Sequence, residues 1–194
     1  GGRRRTPDMR EVLNALLSIA ARGCGGGLLP KCSPPVSTVQ RYFYAWRDAG
    51  LLEAMNTVLV MNLREIEGRE ASPSAGVIDS QSVKAPSAET RGFDAGKKVV
   101  GRKRHIAVDT DGRLLMVNLT TADISDSAGA QTILDGIRKR WPWVKHLFAD
   151  GAYDRLKLMD KASYLDFVVE VIRRSDQQQG FKVLPRRWVV ERTF

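Results

Sequence analysis

Up to residue 70 the apolar side chains of this chain recur at helical spacing, and beyond Ala-Ser-Pro-Ser-Ala-Gly (71–76) they come as short runs and alternations. That change of period constrains the fold more than any other feature, because a 3.6-residue stripe and a two-residue alternation bury different surfaces. In the first part, Val12, Leu13, Leu16, Leu17 and Ala20 predict a helix from Asp8 to Ala21 that Gly23 stops. A Gly- and Pro-rich connector follows, then a helix from Thr38 to Ala49, capped by Ser37 or Thr38 and closed by Gly50. A third helix from Leu51 to about Glu67 completes a helix-turn-helix-like module, in which Gln40 and Arg41 are placed to reach DNA bases or phosphates.

After the connector the predicted order is β, β, β, α, β, α, β, α. Val77–Ser80 is a short strand. Arg102–Thr110 and Leu114–Thr120 form a hairpin around Asp111-Gly112, a strong turn signal. A helix over 126–140, a strand His146–Ala149, a helix Asp154–Ser163, a strand Phe167–Ile172, a polar loop Ser175–Gly180 and a last helix follow. The expected fold class is α/β: a mixed sheet flanked by helices, preceded by a small all-α module. The expected domains are 1–70 (helical), 71–76 (linker) and 77–194 (sheet).

Three acidic residues stand out. Asp79 in Val-Ile-Asp-Ser and Asp150 in Leu-Phe-Ala-Asp-Gly each end an apolar run, as the last side chain that a strand delivers to a sheet edge; Glu191 lies in the last helix, behind Pro185. Clustered carboxylates are the hard oxygen ligands that Mg²⁺ prefers, and two such ions can cut phosphodiesters. Asp79 is expected to be shared by both ions, with Asp150 and Glu191 each completing one site. Asp109, Asp111, Asp123, Asp126 and Asp154 read as turn and cap residues, and His105 as packing.

Charge points the same way. The formal net charge is +9, and residues 97–194 carry 19 Lys or Arg against 12 Asp or Glu. Five cations, Lys97, Lys98, Arg102, Lys103 and Arg104, fall within eight residues and are expected to grip phosphates beside the scissile bond; Arg187 is expected to do so from the opposite wall. No apolar stretch approaches the roughly 20 residues of a membrane span. Cys24 and Cys32 are the only cysteines, which suits a reducing cytoplasm.

Several stretches, in this order, resemble one known family: Arg-Glu-Val-Leu-Asn-Ala (10–15), Ser-Thr-Val-Gln-Arg-Tyr-Phe (37–43), Val-Ile-Asp-Ser-Gln-Ser-Val-Lys (77–84), Asp-Ala-Gly-Lys-Lys-Val-Val-Gly-Arg-Lys-Arg-His (94–105), Phe-Ala-Asp-Gly-Ala-Tyr-Asp (148–154) and Leu-Pro-Arg-Arg-Trp-Val-Val-Glu-Arg-Thr-Phe (184–194). The chain is similar to bacterial insertion-sequence transposases of the DDE class, in the group named after insertion sequence five. The resemblance implies an RNase H-like fold and a catalytic triad at Asp79, Asp150 and Glu191. It also implies Mg²⁺ or Mn²⁺ as cofactor, cleavage and strand transfer on double-stranded DNA (transposon ends and target), and a homodimer in a synaptic complex. A related pattern places an Arg four residues before the Glu, where Arg187 stands, and a Tyr where this chain has Leu184. Family members carry further helix before Gly1 and after Phe194, so the chain is expected to be truncated at both ends. The alternatives are a DNA-binding remnant without catalysis and a related RNase H-like nuclease.

Overall fold

The structure is a computed structural model, which describes residues 7–23, 26–85, 90–173 and 185–194; the side chains of residues 185–187 lie outside the description. The chain forms two compact units, Gly1–Met55 and Asn56–Phe194.

In the first unit, α1 (Met9–Arg22) starts at Asp8, whose carboxylate accepts from the Arg10 amide at 2.8 Å, and ends at Gly23 with φ 60. Gly23 is needed there because a left-handed residue closes the helix without a Cβ penalty. Val12 and Ala15 of α1 and Val39 of α2 (Val36–Asp48) are buried. Helix α2 starts two residues before the predicted Thr38. Pro35 holds the capping position and makes no side-chain cap. Proline's fixed φ suits a helix start, so neither Ser37 nor Thr38 is needed as the cap. Cys32 is an exposed free thiol, while Cys24 lies outside the described residues.

The division between units falls inside α3 (Leu51–Ile66). Its second half belongs with the sheet: Val60 is buried in that core, and the Asn56 carboxamide donates to the Leu114 carbonyl at 2.8 Å.

The second unit is built on β1 (Ala75–Lys84), β2 (Gly92–Asp94), β3 (Val99–Asp109), β4 (Leu114–Thr121), β5 (His146–Ala149) and β6 (Val168–Val171). The sheet order is β2-β3-β1-β5-β6, with β4 also on β3. Strand β1 runs antiparallel to β3 and parallel to β5, and β5 runs parallel to β6. Omitting the short β2, this order (β4-β3-β1-β5-β6) is that of an RNase H-like mixed sheet.

Helices α4 (Asp126–Arg140) and α5 (Leu156–Tyr164) cover one face, and α6 (Pro185–Glu191) covers the other. Alternation along the strands divides the core accordingly. Ile78, Ala107 and Leu147 pack with Ile133, Leu134 and Leu158, whereas Val77, Ile106, Val108 and Phe148 pack with Val190.

Three expectations need correction. Strand β1 begins at Ala75, so the last two residues of the expected linker are already strand. A Cβ on Gly76 would stand 2.7 Å from the Val108 carbonyl oxygen, so that glycine permits close strand pairing. Strand β1 also continues to Lys84, because Ser80–Lys84 pair with Gly101–His105 of β3; Asp79 is therefore mid-strand and not its last residue. Finally, α4 is capped by Ser125, whose hydroxyl accepts from the Ala128 amide at 3.3 Å, in place of Asp126.

Candidate active site

Asp79 points to the α6 face, since it lies two residues beyond Val77 on β1. Its carboxylate accepts from the Ser80 amide at 2.7 Å, and the side chain is half-buried. Asp150 follows the last residue of β5. Its carboxylate accepts from the Ala152 amide at 2.8 Å and so caps the 3₁₀ turn Gly151–Tyr153. The parallel register pairs Val77 with Phe148, so two residues further along Asp150 comes level with Asp79 on the neighbouring strand.

Tyr153, three residues after Asp150, is buried in the core that α4 and α5 cover. Burial first, and then the negative charges of Asp79, Asp126 and Asp150, push its phenol well above the ordinary range. Glu191 is exposed at the end of α6, directly after Val190, which packs on Val77 and Ile106. The helix that carries Glu191 covers the sheet face to which Asp79 points, with Val190 turned toward the sheet. Carboxylates are the right donor chemistry for a hard divalent ion. However, among the described residues no three His, Cys, Asp or Glu side chains are gathered into a ready-made metal site.

The cations predicted to act together separate. Lys97 and Lys98 are exposed on the turn after β2; the Lys97 ammonium donates to the Ser80 carbonyl at 3.1 Å, next in the chain to Asp79. Arg102 donates to the Thr90 carbonyl at 3.1 Å. Arg104 shares the face of Asp79. It is held by Gln81 and lies 5.7 Å from the Phe194 ring centroid.

Lys103 points the other way. It is 5% exposed, with its ammonium 2.8 Å from Asp126 and 3.3 Å from Asp94. This is a correction: strand alternation sends Lys103 inside while Arg102 and Arg104 stay on the opposite face, so it is not one of the accessible phosphate-gripping cations. Burial by itself pushes the Lys103 ammonium down, but Asp126 and Asp94 outweigh it and hold its pKa above the usual value. Gln40 and Arg41 are exposed on α2, in the other unit, with the Arg41 guanidinium 5.4 Å from the Tyr42 ring centroid. The side chain of Arg187 lies outside the described residues, as do Leu184 and the loop Ser175–Gly180.

Sequence reasoning missed the parts played by Asp94, Asp126 and Tyr153. Asp94 carried one usable signal, since an Asp two residues before a Gly is a common turn-former. Asp94 accepts from the Ser82 hydroxyl at 2.5 Å and from the Gly96 and Lys97 amides at 3.0 Å each. Led by the Ser82 bond, these lower its carboxyl pKa to about 2 against the effect of burial. An open cleft of about 850 Å³ borders this cluster, lined in part by Phe93, Asp94, Lys103, Asp126, Ala152 and Arg155.

Residues 70–194 match the family described as "Transposase DDE domain". The chain belongs to the DDE transposase family. Residues 1–56 of this family member match a second model, described as "Putative transposase of IS4/5 family". A comparison with curated proteins finds no match. Among solved structures, the crystal structure of the Mos1 strand transfer complex is similar with a TM-score of 0.34 and 10% identity, over 87% of this chain and 60% of that chain. The present chain therefore spans less than two thirds of that relative's length. Among the described residues, no helix of this transposase-family chain is long and apolar enough to cross a membrane.

Proposed function

We propose that this chain carries the catalytic domain of an insertion-sequence transposase, which binds element-end DNA and catalyses phosphodiester cleavage and strand transfer. The observation that carries the reading is the DDE-domain match over residues 70–194, within which Asp79 of β1 and Asp150, directly after the neighbouring strand β5, come level. In this reading Asp79, Asp150 and Glu191 hold Mg²⁺ or Mn²⁺. When bound, such ions supply activation of a water or 3′-hydroxyl and neutralise charge growing on the phosphate. The chain's own part is to orient the carboxylates, through the Ser80 and Ala152 amides and the packing of α6. Exposed Lys97 and Lys98, with Arg102, Arg104 and Arg187, draw in the DNA backbone. The helical residues 1–70, with Gln40 and Arg41, contribute DNA contacts, and two copies joined in a synaptic complex bring both element ends together.

The test is Mn²⁺ binding by calorimetry together with cleavage of element-end DNA. Asp79→Asn, Asp150→Asn and Glu191→Gln are each expected to weaken metal binding and to lower cleavage by roughly 10³-fold or more, leaving DNA binding in place. Wild-type cleavage by any one of them would remove that residue from the triad. DNA binding without cleavage by the unsubstituted chain would favour the non-catalytic remnant.

A further inference from the structure

Lys103 is a cation almost wholly withdrawn from water, and a buried ion pair is better explained by the arrangement it enforces than by net stabilisation. Its two carboxylates come from different elements: Asp94 ends β2 and Asp126 begins α4. Asp94 is itself 8% exposed, and it receives the Gly96 and Lys97 amides of the following turn at 3.0 Å. The turn is thus tied by its own backbone to a carboxylate that Lys103 holds from below. Two further features lock it. Lys98 has φ 53, a left-handed conformation that a non-glycine residue keeps only when its surroundings impose it. At Gly92 a Cβ would stand 1.7 Å from the Asp123 carboxylate, so this hairpin presses directly on the 122–124 turn. The locked turn presents two exposed ammonium groups, and one of them, Lys97, already reaches the Ser80 carbonyl of β1 beside Asp79.

We propose that Lys103 is a positioning residue: through Asp94 it sets the 95–98 turn, and with it the Lys97 and Lys98 ammonium groups, against the phosphates of a DNA strand entering the Asp79 site. This rests on the DNA-processing reading above.

The experiment compares duplex DNA binding across salt concentrations for the full chain, Lys103→Met, Asp94→Ala, and a Lys97→Ala/Lys98→Ala double variant with and without Lys103→Met. Amide exchange is followed in the same proteins without DNA. Each phosphate contact adds about 0.9 to the slope of log affinity against log salt. The double variant should therefore lose a slope of about 2, Lys103→Met should lose a similar amount, and combining them should lose nothing more.

Asp94→Ala gives the sharper sign. It removes a negative charge, so simple attraction would tighten DNA binding, whereas positioning requires binding to weaken, by roughly tenfold. In both Asp94→Ala and Lys103→Met the Gly96 and Lys97 amides should exchange faster. Tighter binding by Asp94→Ala, or a further slope loss of about 1 when Lys103→Met is added to the double variant, would overturn the proposal, because Lys103 would then act directly on DNA. Unchanged exchange at Gly96 and Lys97 would overturn it without any DNA. Absence of DNA binding by the unsubstituted chain would overturn the functional reading, and the exchange data would then decide separately whether Lys103 holds the turn.

Discussion

Strand β3 carries two buried charges on one face, Lys103 near its start and Asp109 at its end, and they are solved in opposite ways. Asp109 is a single fully buried carboxylate served by guanidinium groups: Arg64 at 2.7 Å and Arg113 at 3.1 Å, with the Asp111 and Arg113 amides at 2.9 Å. Arg64 also donates to the Glu70 carbonyl at 2.9 Å, and Arg113 to Glu67 and Asp111. Planar forks with several fixed donors make this a rigid cross-link between the end of α3 and the β3–β4 turn. At the other end one ammonium serves two carboxylates, and a point charge of that kind sets position without fixing orientation. The contrast assigns Asp109 to the scaffold and Lys103 to the placement of a surface turn beside Asp79.

The largest test of that division is Asp109→Ala. Removing the carboxylate strands the buried Arg64, and the expected loss is about 3–5 kcal/mol of unfolding free energy in urea titration. Where the variant remains folded, its salt slope for DNA should match the parent. A changed slope would erase the distinction between the two ends.

Between them, on the same face, lies His105, fully buried with Nε2 2.9 Å from the Thr120 hydroxyl. Burial first, then the Lys103 and Lys97 charges, lower its pKa from 6.5 to about 4, against an opposing pull from Asp126. The folded pKa is the depressed one, so the unfolded chain takes up the proton first as pH falls. Stability from this group is full above about 6.5, declines by up to roughly 3 kcal/mol towards pH 4, and changes no further below it. Denaturation midpoints from pH 7 to 4 should show this decline, and His105→Gln should flatten it.

A smaller effect probes how tightly that middle section is packed. A Cβ on Gly129 of α4 would stand 2.1 Å from His105 Cε1, so Gly129→Ala must displace a buried ring. We expect a cost of about 1–3 kcal/mol, read as a lowered melting temperature. Full stability would mean that the ring can move, and that the two charged ends are not joined by a rigid face.

Much of this architecture was legible. The hairpin around Asp111-Gly112, helix 126–140 and strand 146–149 follow from period, turn and cap signals, and the structure has them within a residue or so, except that the first hairpin strand starts three residues earlier, at Val99. Strand β2 escaped because three residues, Gly92–Asp94, are too short to show a period. The extension of β1 past Asp79 escaped because Ser80, Gln81 and Ser82 carry no apolar signal; what makes them strand is pairing with β3. Of the proposed site, Asp79 and Asp150 could be picked out because each is a carboxylate closing an apolar run, whereas Glu191, a carboxylate in a helix, rested on the family resemblance. The run 102–104 shows alternating cations, but nothing local tells which parity faces inward.

By itself, then, the sequence determined the change from helical to strand period, the order of strands and helices in the second part apart from β2, and the candidate aspartates, because these depend on neighbours a few residues apart. Only the tertiary structure decided that Asp150 comes level with Asp79, that Lys103 is interior, and that Asp94, Lys103 and Asp126 meet. Those are consequences of strand pairing and of α4 closing over one face. Whether a charged side chain meets water or a partner is settled by surfaces distant in the chain, and no local pattern encodes it.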